Sequence, residues 1–394
     1  MRLLGSWLFS LVVVGYPLAA IIGVYLGIGS LTASVPFRII IVVLSVLLIA
    51  AALASRRFRF PNAVLLVFFG AYLCRLMYDW TVQGLDGAPI ALAWFLGAVC
   101  APVVALTGSA DEWDEGRTAV VLFSVGASAC ALTVLAQLLG LGGDTSTTEL
   151  GGRLSYEALN PISLGHAAAY TLLAAIVSWR FVRTIFAKVI LIVGIVLAAG
   201  TLILAGSRGP VAAFVFAMLL FSLTRPRRFF LVFSLLAMFA VAVVLPGDLT
   251  LATRLSSVGD ESALERLTIQ LDAFEQFLEM PWFGSAYEEL RSGLYPHNLT
   301  LESAMALGIF GLALYFWINM RGFTHAWRSI RSGPVLVPLL FFESFLGAQL
   351  SGAIWGADVY WCTLSVLLVS RLRSAPIADD EERGGVEKSL ALRP

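Results

Sequence analysis

From Trp7 to about Ile28 the chain carries no charged residue, and apolar stretches of this length recur along most of it. About 20 mostly apolar residues cross the hydrocarbon of a bilayer as a helix, which satisfies its own backbone N–H and C=O groups where no water is available. Only 13% of the 394 residues are charged and 59% are hydrophobic, whereas an ordinary soluble domain carries roughly 25% charged residues. The fold class that follows is all-α: a polytopic transmembrane helical bundle. Twelve candidate spans lie near 7–28, 38–55, 61–78, 89–107, 118–140, 161–179, 186–205, 209–223, 229–246, 298–318, 334–352 and 354–370. The first is longer than the roughly 7–15-residue core of a signal peptide and reads as a retained span. Spans seven and eight, and again eleven and twelve, are joined so tightly that a broken or re-entrant segment in either pair stays open.

Basic residues accumulate in cytoplasmic loops, and they orient the twelve spans with both termini in the cytoplasm. Sixteen basic residues then fall in cytoplasmic segments and three more in the tail, while six, Arg38, Arg153, Arg208, Arg254, Arg266 and Arg291, lie outside. The outer arginines are the informative ones, because topology does not require them. Arg38, at the outer start of span two, reads as a snorkelling anchor. Arg75 lies within span three near its outer end, where the choice is between snorkelling and binding an anion.

Net charge is zero, so nothing points to nucleic acid. Cys74, Cys100, Cys130 and Cys362 sit in apolar stretches without metal or disulfide spacing, and read as packing residues. The acidic connection SADEWDEGR, ending at Arg117, has no metal spacing either. The domain organisation that follows is one membrane domain over 1–373, containing an outer loop at 247–296, and a polar, disordered tail at 374–394.

Three outer segments hold more than a turn. The first, 140–170, carries Arg153 in a Gly-rich loop, then Asn160-Pro161 as a helix start, with His166 inside span six. His166 is more often a hydrogen-bonded core histidine than a catalyst. The second, LAGSRGPVAAF, is a tight turn in which Ser207 suits a cap and Pro210 a first helical turn. It holds Arg208 beside the free N–H groups of span eight. The third runs from Pro246 to Pro296. Within it Leu264, Leu267, Leu271, Phe274 and Leu278 recur three or four apart, forming one stripe of a surface-lying helix that leaves Arg266 free to face a polar site.

That loop ends in YPHNLTLE, which sets His297 and Asn298 at the start of span ten and Glu302 about one turn further along. Histidine exchanges protons near neutral pH, and arginine binds phosphate through a fixed fork of N–H groups. Together at headgroup depth they suit a lipid-linked phosphate or diphosphate.

LAGSRGPVAAFVFAMLLF, followed by ERLTIQLDAFEQFLEMPWFGSAYEELRSGLYPHNLTLESAMALGIFG, resembles the bacterial O-antigen ligase and O-antigen polymerase superfamily. The likeness rests on the order of an SRG turn, an arginine opening the outer-loop helix, a P-x-x-G step and a final HN. It covers roughly 150–320, and departs from the family's usual GxG where Ser285 and Ala286 stand. The resemblance implies a GT-C-type glycosyltransferase of the inner (cytoplasmic) membrane, working on the outer side without a metal or other cofactor. Its donor would be a glycan on undecaprenyl diphosphate; its acceptor a glycan, lipid or protein. Arg208 and Arg266 would stabilise the departing diphosphate and His297 would activate the acceptor hydroxyl. Arg153, Asn298, Arg75 and Glu302 are the further candidates for binding substrate.

Ligase and polymerase both fit these residues, and the single dominant outer loop leans toward ligase. The rival from another class is a transporter, with Arg75, Glu302, Glu343 and Asp358 along a pathway. A polar route into the cytoplasmic half would favour it, and the motifs gather on one side only.

Overall fold

The computed structural model describes residues 1–28, 30–110, 113–141, 159–224 and 261–369. They form α1 (Arg2–Tyr25), α2 (Ser30–Ala54), α3 (Ala63–Thr81), α4 (Ala88–Gly108, with a π-helical turn at Phe95–Cys100) and α5 (Glu115–Leu138). There follow α6 (Pro161–Ser178), α7 (Ile185–Leu204), α8 (Arg208–Thr224), α9 (Glu261–Glu279), α10 (Leu299–Ser332), α11 (Leu336–Ser351) and α12 (Asp358–Val369). The expected ninth span, Arg153, the first part of the outer loop and the tail at 374–394 lie outside the described residues.

Local chemistry sets several of the helix starts. Side-chain oxygens of Asn62, Asp114, Asn160, Thr184 and Asn298 accept from the backbone N–H two or three residues on, satisfying groups that a helix start otherwise leaves open. Glu115 does the same across space, accepting from the N–H groups of Val335 and Leu336 at the start of α11.

Among the described residues eight helices, α1 to α7 and α10, are long and apolar enough to cross a membrane. The expected spans eight, eleven and twelve correspond to the shorter α8, α11 and α12. The 12 described residues of α12 cover only about 18 Å, and residues 352–357, between α11 and α12, are not helical. Conversely, α10 runs for 34 residues, about 50 Å, which is longer than the span expected at 298–318. Its far end carries Arg321, Arg328 and Arg331 beyond the thickness of a hydrocarbon core.

Burial ranks the helices. α6 is 78% buried, whereas α2 and α7 are 22% and 28% buried and present Ile39, Val43, Val189 and Val193 outward. α6 therefore sits centrally, against α1, α5, α7, α8 and α11. α3, α4, α10 and α12 meet around a buried aromatic cluster in which Trp361 packs on Phe68, Phe69 and Tyr360 with ring centroids 4.7–5.4 Å apart. At one end of the bundle, called here the loop end, α9 packs on α10 through buried Ile269 and Ala273. Its stripe of Leu264, Leu267, Leu271, Phe274 and Leu278 faces outward, about half exposed, and Trp282, Phe283 and Phe310 extend the same apolar surface. An exposed stripe of this kind fits a helix lying in a membrane interface.

Candidate functional site

The loop after α9 is pinned to the bundle by main-chain contact. Gly284 has φ +70° and Gly308, inside α10, has φ +65°. A Cβ on Gly284 would collide with the main chain of Ala306, and one on Gly308 with that of Trp282. The two glycines let loop and helix backbones touch, and the helix kinks at Gly308 so that Ser285 N–H donates to Met305 O (2.9 Å) and Ile309 N–H to Pro281 O (2.8 Å). The expected P-x-x-G step thus becomes a backbone joint.

Arg75 locks that joint. Its guanidinium donates to the carbonyls of Ala306 (2.8 Å), Ser285 (2.9 Å), Phe283 (2.9 Å) and Gly284 (3.2 Å), with Asp79 Oδ1 at 3.5 Å. Asp79 Oδ2 accepts from Tyr287 N–H at 2.8 Å. The arginine considered for anion binding holds the loop, because a guanidinium's fork fits converging carbonyls as well as it fits phosphate. Glu302 also serves the scaffold: fully buried, it accepts from Tyr72 OH at 2.6 Å and from Ile354 N–H at 2.8 Å.

The joint delivers His297 to the start of α10. Its φ of +55° is left-handed, which costs a non-glycine residue about 1 kcal/mol or more and persists where neighbours over-determine it. Those neighbours are Asn298, which caps α10 and donates to Gln349 O at 3.0 Å, and Tyr295, whose ring centroid lies 4.3 Å from that of the imidazole. Gln349 fixes the same corner, its Oε1 accepting from Thr300 Oγ1 (2.8 Å) while its Nε2 donates to Tyr315 OH (2.7 Å). Sequence reading passed over Gln349, although a glutamine closing an apolar helix was a signal.

Burial and the Arg266 guanidinium hold the His297 imidazole below the usual histidine range, against opposing pulls from the Ser351 main chain and Glu265. Arg266 also acts electrostatically on Tyr295. Arg266 and His297, 31 positions apart in the chain, are thus electrostatic neighbours. Arg208 opens α8, and Gly209 beside it faces Leu350, next to the Ser351 that His297 meets. The end of α11 is thus approached by the start of α8 and by His297, on which Arg266 acts electrostatically. Arg291, outside this group, pairs with Asp272 (2.9 Å) and Glu275 (3.3 Å) and ties the loop to α9.

Alongside lies a cavity of about 430 Å³ between α1, α2, α4, α6, α11 and α12, with Tyr295 and Ser351 in its wall. His166 lines it and meets Glu343 at 2.6 Å, so it has the hydrogen-bonded partner expected of a core histidine.

A family profile described as O-antigen ligase matches residues 193–316, which include Arg208, Arg266, His297, Asn298 and Glu302. An O-antigen ligase of Pseudomonas aeruginosa is 31% identical over 273 residues, 66% of this chain. Over these segments the chain is similar to the O-antigen ligase superfamily. It spans 62% of the length of that Pseudomonas ligase. Arg75 and Arg153 lie outside the segment that matches the O-antigen ligase profile.

Proposed function

We propose that this multi-pass membrane protein is a glycosyltransferase that moves a glycan from undecaprenyl diphosphate to an acceptor hydroxyl at the outer face of the cytoplasmic membrane. The reading is supported by one observation: Arg266 acts on His297 at the loop end, and α8, which Arg208 opens, packs on α11, whose last residue, Ser351, meets His297. Arg208 and Arg266 stabilise the charge that develops on the departing diphosphate, and no metal ion is needed. His297, neutral near pH 7 because its pKa is lowered, accepts the acceptor's O–H proton. The acceptor oxygen bonds the anomeric carbon from the face opposite the diphosphate. As that bond forms, the bond to the diphosphate oxygen breaks with its electron pair staying on that oxygen, inverting the centre. Arg75, Asn298 and Glu302 position this machinery rather than bind the donor.

Purified protein, an undecaprenyl-diphosphate glycan and EDTA test the reading. Arg208→Ala, Arg266→Ala and His297→Ala are each expected to lower transfer about 10²–10³-fold, the usual cost of losing one charge-stabilising donor. Undiminished transfer by all three rejects the site, and loss with EDTA in the wild type rejects metal independence. A glycolipid acceptor against a second repeat unit separates ligase from polymerase.

A further inference from the structure

A continuous row of tilted and edge-on ring contacts leads from the lipid-facing side of the bundle to His297. The Arg38 guanidinium carbon lies 3.2 Å from the centroid of Trp94. Trp94 is 5.2 Å from Trp355, Trp355 is 5.8 Å from Tyr295, and Tyr295 is 4.3 Å from His297. Arg38, Trp94 and Ala98 are shared by two cavities: the polar one of about 430 Å³ and an apolar groove of about 300 Å³ between α2 and α4. Val35, Ile39 and Val43 wall the groove and are 50–57% exposed, so it opens toward lipid.

We propose that the α2–α4 groove and the cavity behind it seat a lipid-anchored acceptor carrying an anionic group, with its tail in the groove, its anion at Arg38 and its hydroxyl-bearing head beside His297. The identity as acceptor rests on the transferase reading above. A guanidinium lying over a ring keeps its in-plane N–H groups available to oxygen acceptors. Tyr16 and Asp358 are the other titratable groups facing Arg38. Asp358 Oδ1 already accepts from Val359 N–H at 2.8 Å. Inside, Asn160, Ser163 and His166 offer polar contacts to a head group between aromatic walls, the composition of a pocket that orients a ligand by a few placed polar groups. Neither Arg208 nor Arg266 lines the cavity, whereas Tyr295 and Ser351 do, and both meet His297. Donor and acceptor thus reach the imidazole by separate routes.

The test places benzoylphenylalanine at Ile39 in full-length protein in nanodiscs containing alkyne-tagged phosphatidic acid or alkyne-tagged phosphatidylcholine. Photo-capture of phosphatidic acid is expected at least fivefold above phosphatidylcholine, falling to parity in Arg38→Gln and retained in Arg38→Lys and in Arg208→Ala. Equal capture of both lipids by the Ile39 reporter protein overturns the anionic seat. Displacement of phosphatidic acid by an equal amount of undecaprenyl diphosphate assigns the groove to the donor and overturns the acceptor seat; no displacement supports it. Since capture needs no turnover, its failure is distinguishable from a failure of glycan transfer.

Discussion

At the scale of single residues, the exchange between Arg266 and His297 has a measurable sign. A neighbouring positive charge disfavours the imidazolium, and it acts here together with burial. A base must be neutral to accept a proton, so the acidic limb of the rate profile is expected below the ordinary histidine value of about 6.5. In Arg266→Ala the residual activity should show that limb moved toward higher pH; a limb that stays put would separate the two residues. Arg75 makes a different prediction. Its bonds to four carbonyls are charge-assisted, and Arg75→Ala removes this donor from all of them, with Ser285 O keeping Gln83 Nε2 at 2.7 Å. A loss of about 3 kcal/mol is expected, read as a lower unfolding midpoint in detergent, with Arg75→Lys intermediate. The sequence could mark His297 and the outer arginines as unusual because topology did not require them. It could not say that Arg75 faces main-chain carbonyls, since those carbonyls belong to residues more than 200 positions away.

At the scale of elements, the joint between the loop and α10 depends on two residues without side chains. Gly308→Ala forces a Cβ into the main chain of Trp282 at a positive φ, so the loop must lift or the helix straighten. Trypsin cleavage at Arg291 should become at least several-fold faster in this variant, while the far half of α10 stays protected. Unchanged protection at Arg291 would mean that the joint does not govern the loop. The amphipathic period of α9 was legible, because a repeat of three to four needs no tertiary knowledge. That its leucines face out while Ile269 and Ala273 face α10 was a matter of packing. The kink was invisible for the same reason: a glycine within a G-x-x-G run reads as ordinary helix until another backbone is laid against it.

For the whole molecule, the proposed orientation puts the loop end outside. Ser292→Cys is then expected to react with a membrane-impermeant maleimide in intact spheroplasts, and Ser55→Cys only in inverted vesicles; the reverse pattern overturns the orientation and with it the outer-face reaction. The four native cysteines are free, and Cys130 and Cys362 are buried. Membrane helices gain little from hiding apolar surface from lipid and associate through close packing and polar contacts. One such contact here is the capping of α11 by Glu115 from the start of α5.

The sequence by itself determined that the chain is a helical bundle in a membrane and where most spans begin. Hydrophobic length and charge asymmetry are properties of single segments and can be read one segment at a time. Only the tertiary structure decided that Arg75 and Glu302 brace the fold, that α11 and α12 flank a non-helical turn, and that Arg38 lies at one end of a row of ring contacts reaching His297. Each of these depends on which distant backbone or ring comes within a few ångströms, and no local pattern encodes that distance.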